Sequence, residues 1–143
     1  EIVWCEKRDG TKIELNISRN KIFKEMILVA SKNHRNQTLK NLIQKINFKK
    51  VLIMGSIGCK ISSILRGESD IYICLSLPGK SSPKDLDFAA PEAILKAAGG
   101  AITYLNNEAL IYNQANFEQK GLIVASSDKK KHGDICNKIK EII

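Results

Sequence analysis

Four short, unbroken apolar runs punctuate the chain: Ile27-Leu28-Val29-Ala30, Val51-Leu52-Ile53-Met54, Ile71 to Leu75, and Leu122 to Ala125. Each is strand-length, and a continuous apolar run of that length reads as a strand buried on both faces. Between them Leu39, Leu42, Ile43 and Ile46 recur at helical spacing, which predicts an amphipathic helix over 37–46. Ile57, Ile61, Ile64 and Leu65 mark a second helix, ended by Gly67. Ile135, Ile139, Ile142 and Ile143 share one face of a last helix, with Lys129-Lys130-Lys131 as its solvated start. Residues 1–20 read as extended segments joined by a turn at Arg8-Asp9-Gly10. Ala101 to Tyr104 and a short stretch around Leu110-Ile111 complete the strands, and Asn113 to Lys120 is a polar loop. Strands alternate with helices through the middle of the chain. The predicted class is therefore α/β: one layered domain with a central, largely parallel mixed sheet flanked by helices.

Composition narrows the picture only a little. The 143 residues are enough for one domain with a sizeable core. No apolar run approaches the roughly 18–20 residues of a membrane span, so no integral membrane segment is expected. The four cysteines, Cys5, Cys59, Cys74 and Cys136, are scattered without a Cys-x-x-Cys pair. Reduced thiols in a cytoplasmic protein are the expectation, rather than a zinc site. The formal net charge of +8 suits an anionic partner, either nucleic acid or a phosphorylated metabolite. An abundance of Lys, Asn and Ile from AT-rich coding would give the same balance. Basic residues are spread out and none interleaves with aromatics as a base-stacking surface requires, so nucleic acid is not expected. The chain opens at Glu1, inside a predicted strand, where a domain boundary would fall in a polar linker. A piece of a longer protein is expected.

The stretch from Asp85 to Gly100 organises the rest. An acidic residue precedes a short helix carrying alanines at 89, 90, 93, 97 and 98, and Gly99-Gly100 closes it. Pro91 is expected in the first turn, where a missing N–H costs little. Asp87 then stands at the start of the helix with its carboxylate outward, and from local sequence alone it reads first as an N-cap.

From Asp87 to Gly100 the stretch also resembles the second signature of the inositol monophosphatase superfamily, the magnesium-dependent, lithium-sensitive phosphatases. That signature reads Trp-Asp-x-Ala-Ala-Pro, an aliphatic pair, then Ala-Gly-Gly. Leu86 stands here in place of its Trp. In the family the signature Asp is a metal ligand, so the resemblance implies Asp87 as a Mg2+ ligand and as part of the substrate site. The family's other ligands lie in an upstream Glu and an Asp-Pro-x-Asp-Gly-Thr motif. The only Asp-Gly-Thr here, Asp9-Gly10-Thr11, lacks the preceding Pro and second Asp and is read as a turn. The resemblance thus covers the carboxyl-terminal, substrate-binding lobe of the family's enzyme, with an amino-terminal metal-binding lobe missing from this chain.

Two further loops follow predicted strands, where ligands gather in such sheets. Gly55-Ser56-Ile57-Gly58-Cys59-Lys60 is a strand-to-helix turn in which Gly55 lets a ligand approach and Ser56 can cap the helix. The first helical N–H groups then face an anion, with Lys60 one turn on. It resembles the Gly-x-x-x-x-Lys element by which nucleotide-cleaving members hold a phosphate. Ser31-Lys32-Asn33-His34 is from composition a polar turn with an ordinary His. It resembles the Ser/Thr-basic-Ser-His loop of the bisphosphate nucleotidase branch, which implies Ser31 and His34 as substrate contacts. Inositol monophosphatases tend to place a Glu seven residues ahead of the signature Asp, where this chain has Lys80. Lys60 and Lys80 favour a doubly phosphorylated ligand.

The resemblance therefore implies a 3'(2'),5'-bisphosphate nucleotidase, acting in sulfur metabolism and converting 3'-phosphoadenosine 5'-phosphate to AMP. Its partners would be a small phosphorylated nucleotide and the missing lobe, with a homodimer left open. An inositol- or sugar-phosphate phosphatase, or a nucleotide-binding module without catalysis, are the alternatives. Leu86, and Cys74 where some members carry Arg, are the departures that bear on specificity. Residues 1–143 alone are expected to be inactive.

Overall fold

The computed structural model describes residues 2–32, 36–77 and 82–143. A small antiparallel hairpin comes first, β1 (Trp4–Glu6) and β2 (Lys12–Glu14). Its turn holds Gly10 at φ +84°, and Asp9 accepts a hydrogen bond from the Thr11 N–H at 2.9 Å. Asp9-Gly10-Thr11 is thus a hairpin turn. Then follow β3 (Ile27–Ser31), α1 (Gln37–Ile46), β4 (Lys50–Met54), α2 (Ile57–Leu65), β5 (Ile71–Ser76), α3 (Asp85–Ala97), β6 (Ala101–Tyr104), β7 (Gly121–Ser126) and α4 (His132–Ile142).

The main sheet has the order β4-β3-β5-β7-β6. β3 pairs in parallel with β4 and β5, while β7 runs antiparallel to β5 and β6. Four of the five strands therefore point the same way and β7 alone is reversed, a largely parallel mixed sheet. The period of two along each strand divides the core. Leu28, Ala30, Ile71, Ile73 and Val124 face one side, against Leu39, Leu42 and Ile46 of α1 and Ile135 and Ile139 of α4. Val29, Tyr72, Ile123 and Ala125 face the other, against Ile61 and Ile64 of α2 and Phe88 and Leu95 of α3. Helices cover both faces, and among the described residues no helix is long and apolar enough to cross a membrane.

Three expectations need correction. The short strand around Leu110-Ile111 is a single bridge between Thr103 and Ala109. There the Ile111 N–H donates to the Tyr104 hydroxyl, and the Ile111 carbonyl accepts from Gln114 and Gln119 side chains, so side chains replace a neighbouring strand. The three lysines 129–131 form a turn ahead of α4, and Ile143 lies beyond that helix, exposed. Pro91 lies in the second turn of α3 because the helix already begins at Asp85. Acidic residues at the first and third helical positions suit the positive end of the helix dipole, which favours that early start.

The far end of α3 is closed as anticipated. Gly99 takes φ +102°, its N–H donates to the Lys96 carbonyl, and the Gly100 N–H reaches the Leu95 carbonyl at 2.9 Å. These two bonds are a Schellman closure. Gly100 is required for a different reason: a Cβ there would stand 2.6 Å from the Ser126 carbonyl oxygen and 2.7 Å from Leu95.

Candidate functional site

The loops leaving β3, β4 and β5 all emerge at one end of the sheet. The chain after β3 turns toward the α1/α4 face, whereas β4 and β5 lead into α2 and α3 on the opposite face. Diverging connections of this kind open a crevice at the carboxyl ends of the strands. A cleft of about 300 Å³ lies there, lined by Ser31, Gly55, Ser56, Lys60 and Asp87 together with Tyr72, Cys74 and Ser76. Five of the six residues predicted for the site thus meet at one cavity. His34 lies outside the described residues, as does Lys80.

The β4–α2 wall is built as its sequence suggests. Ser56 is the N-cap of α2, its hydroxyl accepting the Cys59 N–H at 3.1 Å. The N–H groups of Ile57 and Gly58, at the first two helical positions, have no intrahelical acceptor. A Cβ added at Gly55 would meet nothing within 4 Å, which agrees with a backbone that borders open space.

Lys60 is more buried than its spacing suggested, at 2% exposure. Its Nζ donates to the Gly55 carbonyl and stands 5.1 Å from the centre of the Tyr72 ring. Burial holds its pKa below the usual lysine value. Tyr72 and Cys74 project from β5 onto the same face and form the floor. Burial raises both their pKa values, with the neighbouring Ser31 and Cys74 side chains acting on Tyr72 to a lesser degree. Tyr72 was not among the predicted site residues. Its signal lay in the sequence: Tyr72, Cys74 and Ser76 alternate along a strand whose next loop leads to Asp87.

Asp87 occupies the third position of α3, after Lys84 as N-cap. Its Oδ2 accepts the Lys84 N–H at 2.8 Å, the returning half of a capping box. Its Oδ1 has no hydrogen bond among the described residues. The N-cap reading is thus corrected: Lys84 is the cap, and Asp87, two places into the helix from Asp85, closes the capping box from the third position with one oxygen. Pro91, four residues on, has no N–H to donate to the Asp87 carbonyl. Leu86 is 79% exposed and does not line the cleft, so of the two departures from the family pattern only Cys74 touches the cavity.

A hard cation such as Mg2+ takes carboxylate, carbonyl and water oxygens. Asp87 offers one such oxygen, and among the described residues no three His, Cys, Asp or Glu side chains converge to complete a site. Asp87 fits as one ligand of such an ion and not as the whole set.

The sequence model of the inositol monophosphatase family matches residues 5–143. The chain belongs to that family. Over 88 residues it is 36% identical to 3'(2'),5'-bisphosphate nucleotidase 1 of Mus musculus, a match covering 62% of this chain and 27% of the mouse protein. Over 99 residues it is 35% identical to the 3'(2'),5'-bisphosphate nucleotidase CysQ of Buchnera aphidicola, covering 69% of this chain and 34% of the relative. The inositol monophosphatase of Anabaena has the same fold, with a TM-score of 0.67 at 16% identity over 100% of this chain and 56% of its own. The matches span about a third of the curated relatives and about half of the solved chain. The family's members named here are phosphatases, and the mixed sheet with helices on both faces is their fold.

Proposed function

We propose that residues 1–143 are the substrate-binding lobe of a Mg2+-dependent phosphomonoesterase, a 3'(2'),5'-bisphosphate nucleotidase that converts 3'-phosphoadenosine 5'-phosphate to AMP and phosphate. The observation that carries this reading is the cleft itself: the amino end of α2 and the Lys60 ammonium share a cavity with Asp87, whose Oδ1 has no hydrogen bond among the described residues. The nucleotidase relatives align with this chain at about a third identity, which supports the branch.

The division of labour follows from the groups present. The free N–H groups at the start of α2 and the cation of Lys60 hold a phosphate by charge and hydrogen bonding. Ser31 and His34 contact the substrate from the β3 loop. Asp87 presents a carboxylate oxygen to the cation, whose other ligands belong to an amino-terminal lobe outside this chain. A bound Mg2+ supplies charge screening at the phosphoryl oxygens and acidifies a water. Four free thiols suit a reducing compartment such as the cytoplasm.

The test is phosphate release by the whole protein from 3'-phosphoadenosine 5'-phosphate and from an inositol monophosphate, each with Mg2+ and with chelator. Magnesium-dependent preference for the nucleotide is the expected result. Preference for the inositol phosphate would transfer the chain to the sugar-phosphate branch, whose fold it shares. Binding without turnover in the whole protein would make it a nucleotide-binding module. Residues 1–143 alone should bind nucleotide weakly and release no phosphate.

A further inference from the structure

The start of α3 is gripped by one buried residue distant in sequence. Gln119, 1% exposed, lies just ahead of β7. Its backbone N–H donates to the Pro83 carbonyl at 2.8 Å. Its side-chain Nε2 donates to Asp85 Oδ1 and to the Ile111 carbonyl, both at 2.8 Å. Its Oε1 accepts the Tyr104 hydroxyl at 2.7 Å. That orientation of the amide follows from chemistry. An ionised Asp85 can only accept, and Tyr104, already accepting the Ile111 N–H, has its one proton to give. Asp85 is held on its other oxygen by the Asn113 N–H at 2.7 Å.

Pro83 and Asp85 flank Lys84, and the Lys84 N–H is the donor that fixes Asp87 Oδ2. Lys84 also bridges to Glu118, next to Gln119. The peptide that orients Asp87 is therefore clamped on both sides by one residue, which is itself locked by Tyr104 from β6. We propose that Gln119 is a positioning residue for Asp87: it sets the direction in which Asp87 Oδ1 faces the cleft. This inference rests on the reading of Asp87 as a cation ligand. Supporting partners of metal ligands commonly carry about 10–100-fold in metal affinity.

The experiment is Mn2+ binding to the whole protein without substrate, read by the paramagnetic signal of the free ion. It compares the native protein with Gln119→Glu, Asp85→Asn paired with Gln119→Glu, and Asp87→Asn, and melting temperatures are recorded in parallel. Gln119→Glu sets a carboxylate against Asp85 and should weaken Mn2+ binding about tenfold. The paired exchange restores a donor facing an acceptor between positions 85 and 119, though not toward the Ile111 carbonyl, and should recover part of that loss. A merely structural residue would lower the melting temperature and leave the affinity of the folded protein unchanged, and that result would overturn the proposal while the role of Asp87 stands. Unchanged Mn2+ binding in Asp87→Asn would overturn both. Should Gln119→Glu fail to fold, Gln119→Met, which keeps length and the Pro83 bond, must show the same weakening.

Discussion

The Lys60 ammonium and the Tyr72 ring stand 5.1 Å apart in the floor of the cleft, both at 2% exposure or less. A lone ammonium is costly to bury, and the Gly55 carbonyl and the ring face only partly replace its water. A charge kept where it is costly is better explained by a ligand than by stability.

Lys60→Met, similar in shape but uncharged, should therefore leave the melting temperature unchanged or raise it. It should also weaken a bisphosphate ligand by about tenfold or more, since a hydrogen bond from a charged donor is worth about 1.5–3 kcal/mol. In the whole protein, if it turns over as proposed, Lys60→Ala should raise KM for a bisphosphate more than for a monophosphate. Equal effects on both would remove the case for a doubly phosphorylated substrate. Because burial lowers the Lys60 pKa, the alkaline loss of anion affinity should begin below the pH at which an ordinary lysine titrates.

Gly100→Ala should destabilise more than Gly99→Ala, although Gly99 is the one with positive φ. At Gly100 the new Cβ meets a backbone carbonyl at 2.6 Å and Leu95 at 2.7 Å, and neither can swing away freely. At Gly99 the nearest atom is the Ser18 hydroxyl, the end of a side chain that can rotate. Overpacking of the first kind costs about 1–3 kcal/mol. Urea denaturation of the two variants ranks them, and the reverse order would mean that backbone strain at Gly99 dominates.

The sheet was legible because its strands are apolar on both faces, and the strand-to-helix turn after β4 pointed to Gly55, Ser56 and Lys60 through local chemistry, whereas Ser31 was legible only through the family resemblance. Asp87 was legible through a long ordered pattern. Its actual tether, a bond back to Lys84, was obscured because Pro91 suggested a later helix start. Gln119 could not be seen at all. Its partners come from three separate stretches, around Pro83 and Asp85, at Tyr104 and at Ile111, and nothing local distinguishes a buried Gln in a polar loop from a solvated one. Tyr72 looked like one more apolar strand residue until the topology placed its strand beneath the cleft.

His132 predicts an acid-sensitive fold. It is 1% exposed, with Nδ1 at 2.7 Å from the Ser126 hydroxyl and Nε2 at 2.8 Å from the Thr103 hydroxyl. Burial pushes its pKa down to about 4, from an ordinary value of 6.5. Between those values the unfolded chain binds a proton that the folded one refuses, so stability is full above about pH 6.5 and falls as the pH drops toward 4. The span corresponds to about 3 kcal/mol. Denaturation at pH 7 and pH 4.5 should show the loss in the native protein and a smaller one in His132→Gln. An equal acid loss in both would assign it to other groups.

Asp70 tests whether fold and site can be separated. It sits at the amino end of β5, opposite the cleft, with its side chain 3% exposed. Its Oδ1 lies 3.1 Å from both Arg19 Nε and Lys21 Nζ, and its Oδ2 accepts the Ile27 N–H at 2.8 Å. Arg19 also donates to the Ser69 carbonyl at 2.8 Å, so the stretch before β3 is pinned beside the sheet chiefly by this carboxylate, with a backbone carbonyl as a second hold. Removing one member of a buried ion pair costs about 3–5 kcal/mol. Arg19 and Lys21 keep 25% and 35% exposure and recover some hydration. Asp70→Asn is therefore expected to cost about 2–3 kcal/mol in urea denaturation. Because β5 joins this end to the cleft through a paired, buried strand, the folded variant should bind nucleotide with unchanged affinity at a temperature well below its melting point. Affinity falling in step with stability would mean that the pinned segment and the cleft move as one unit.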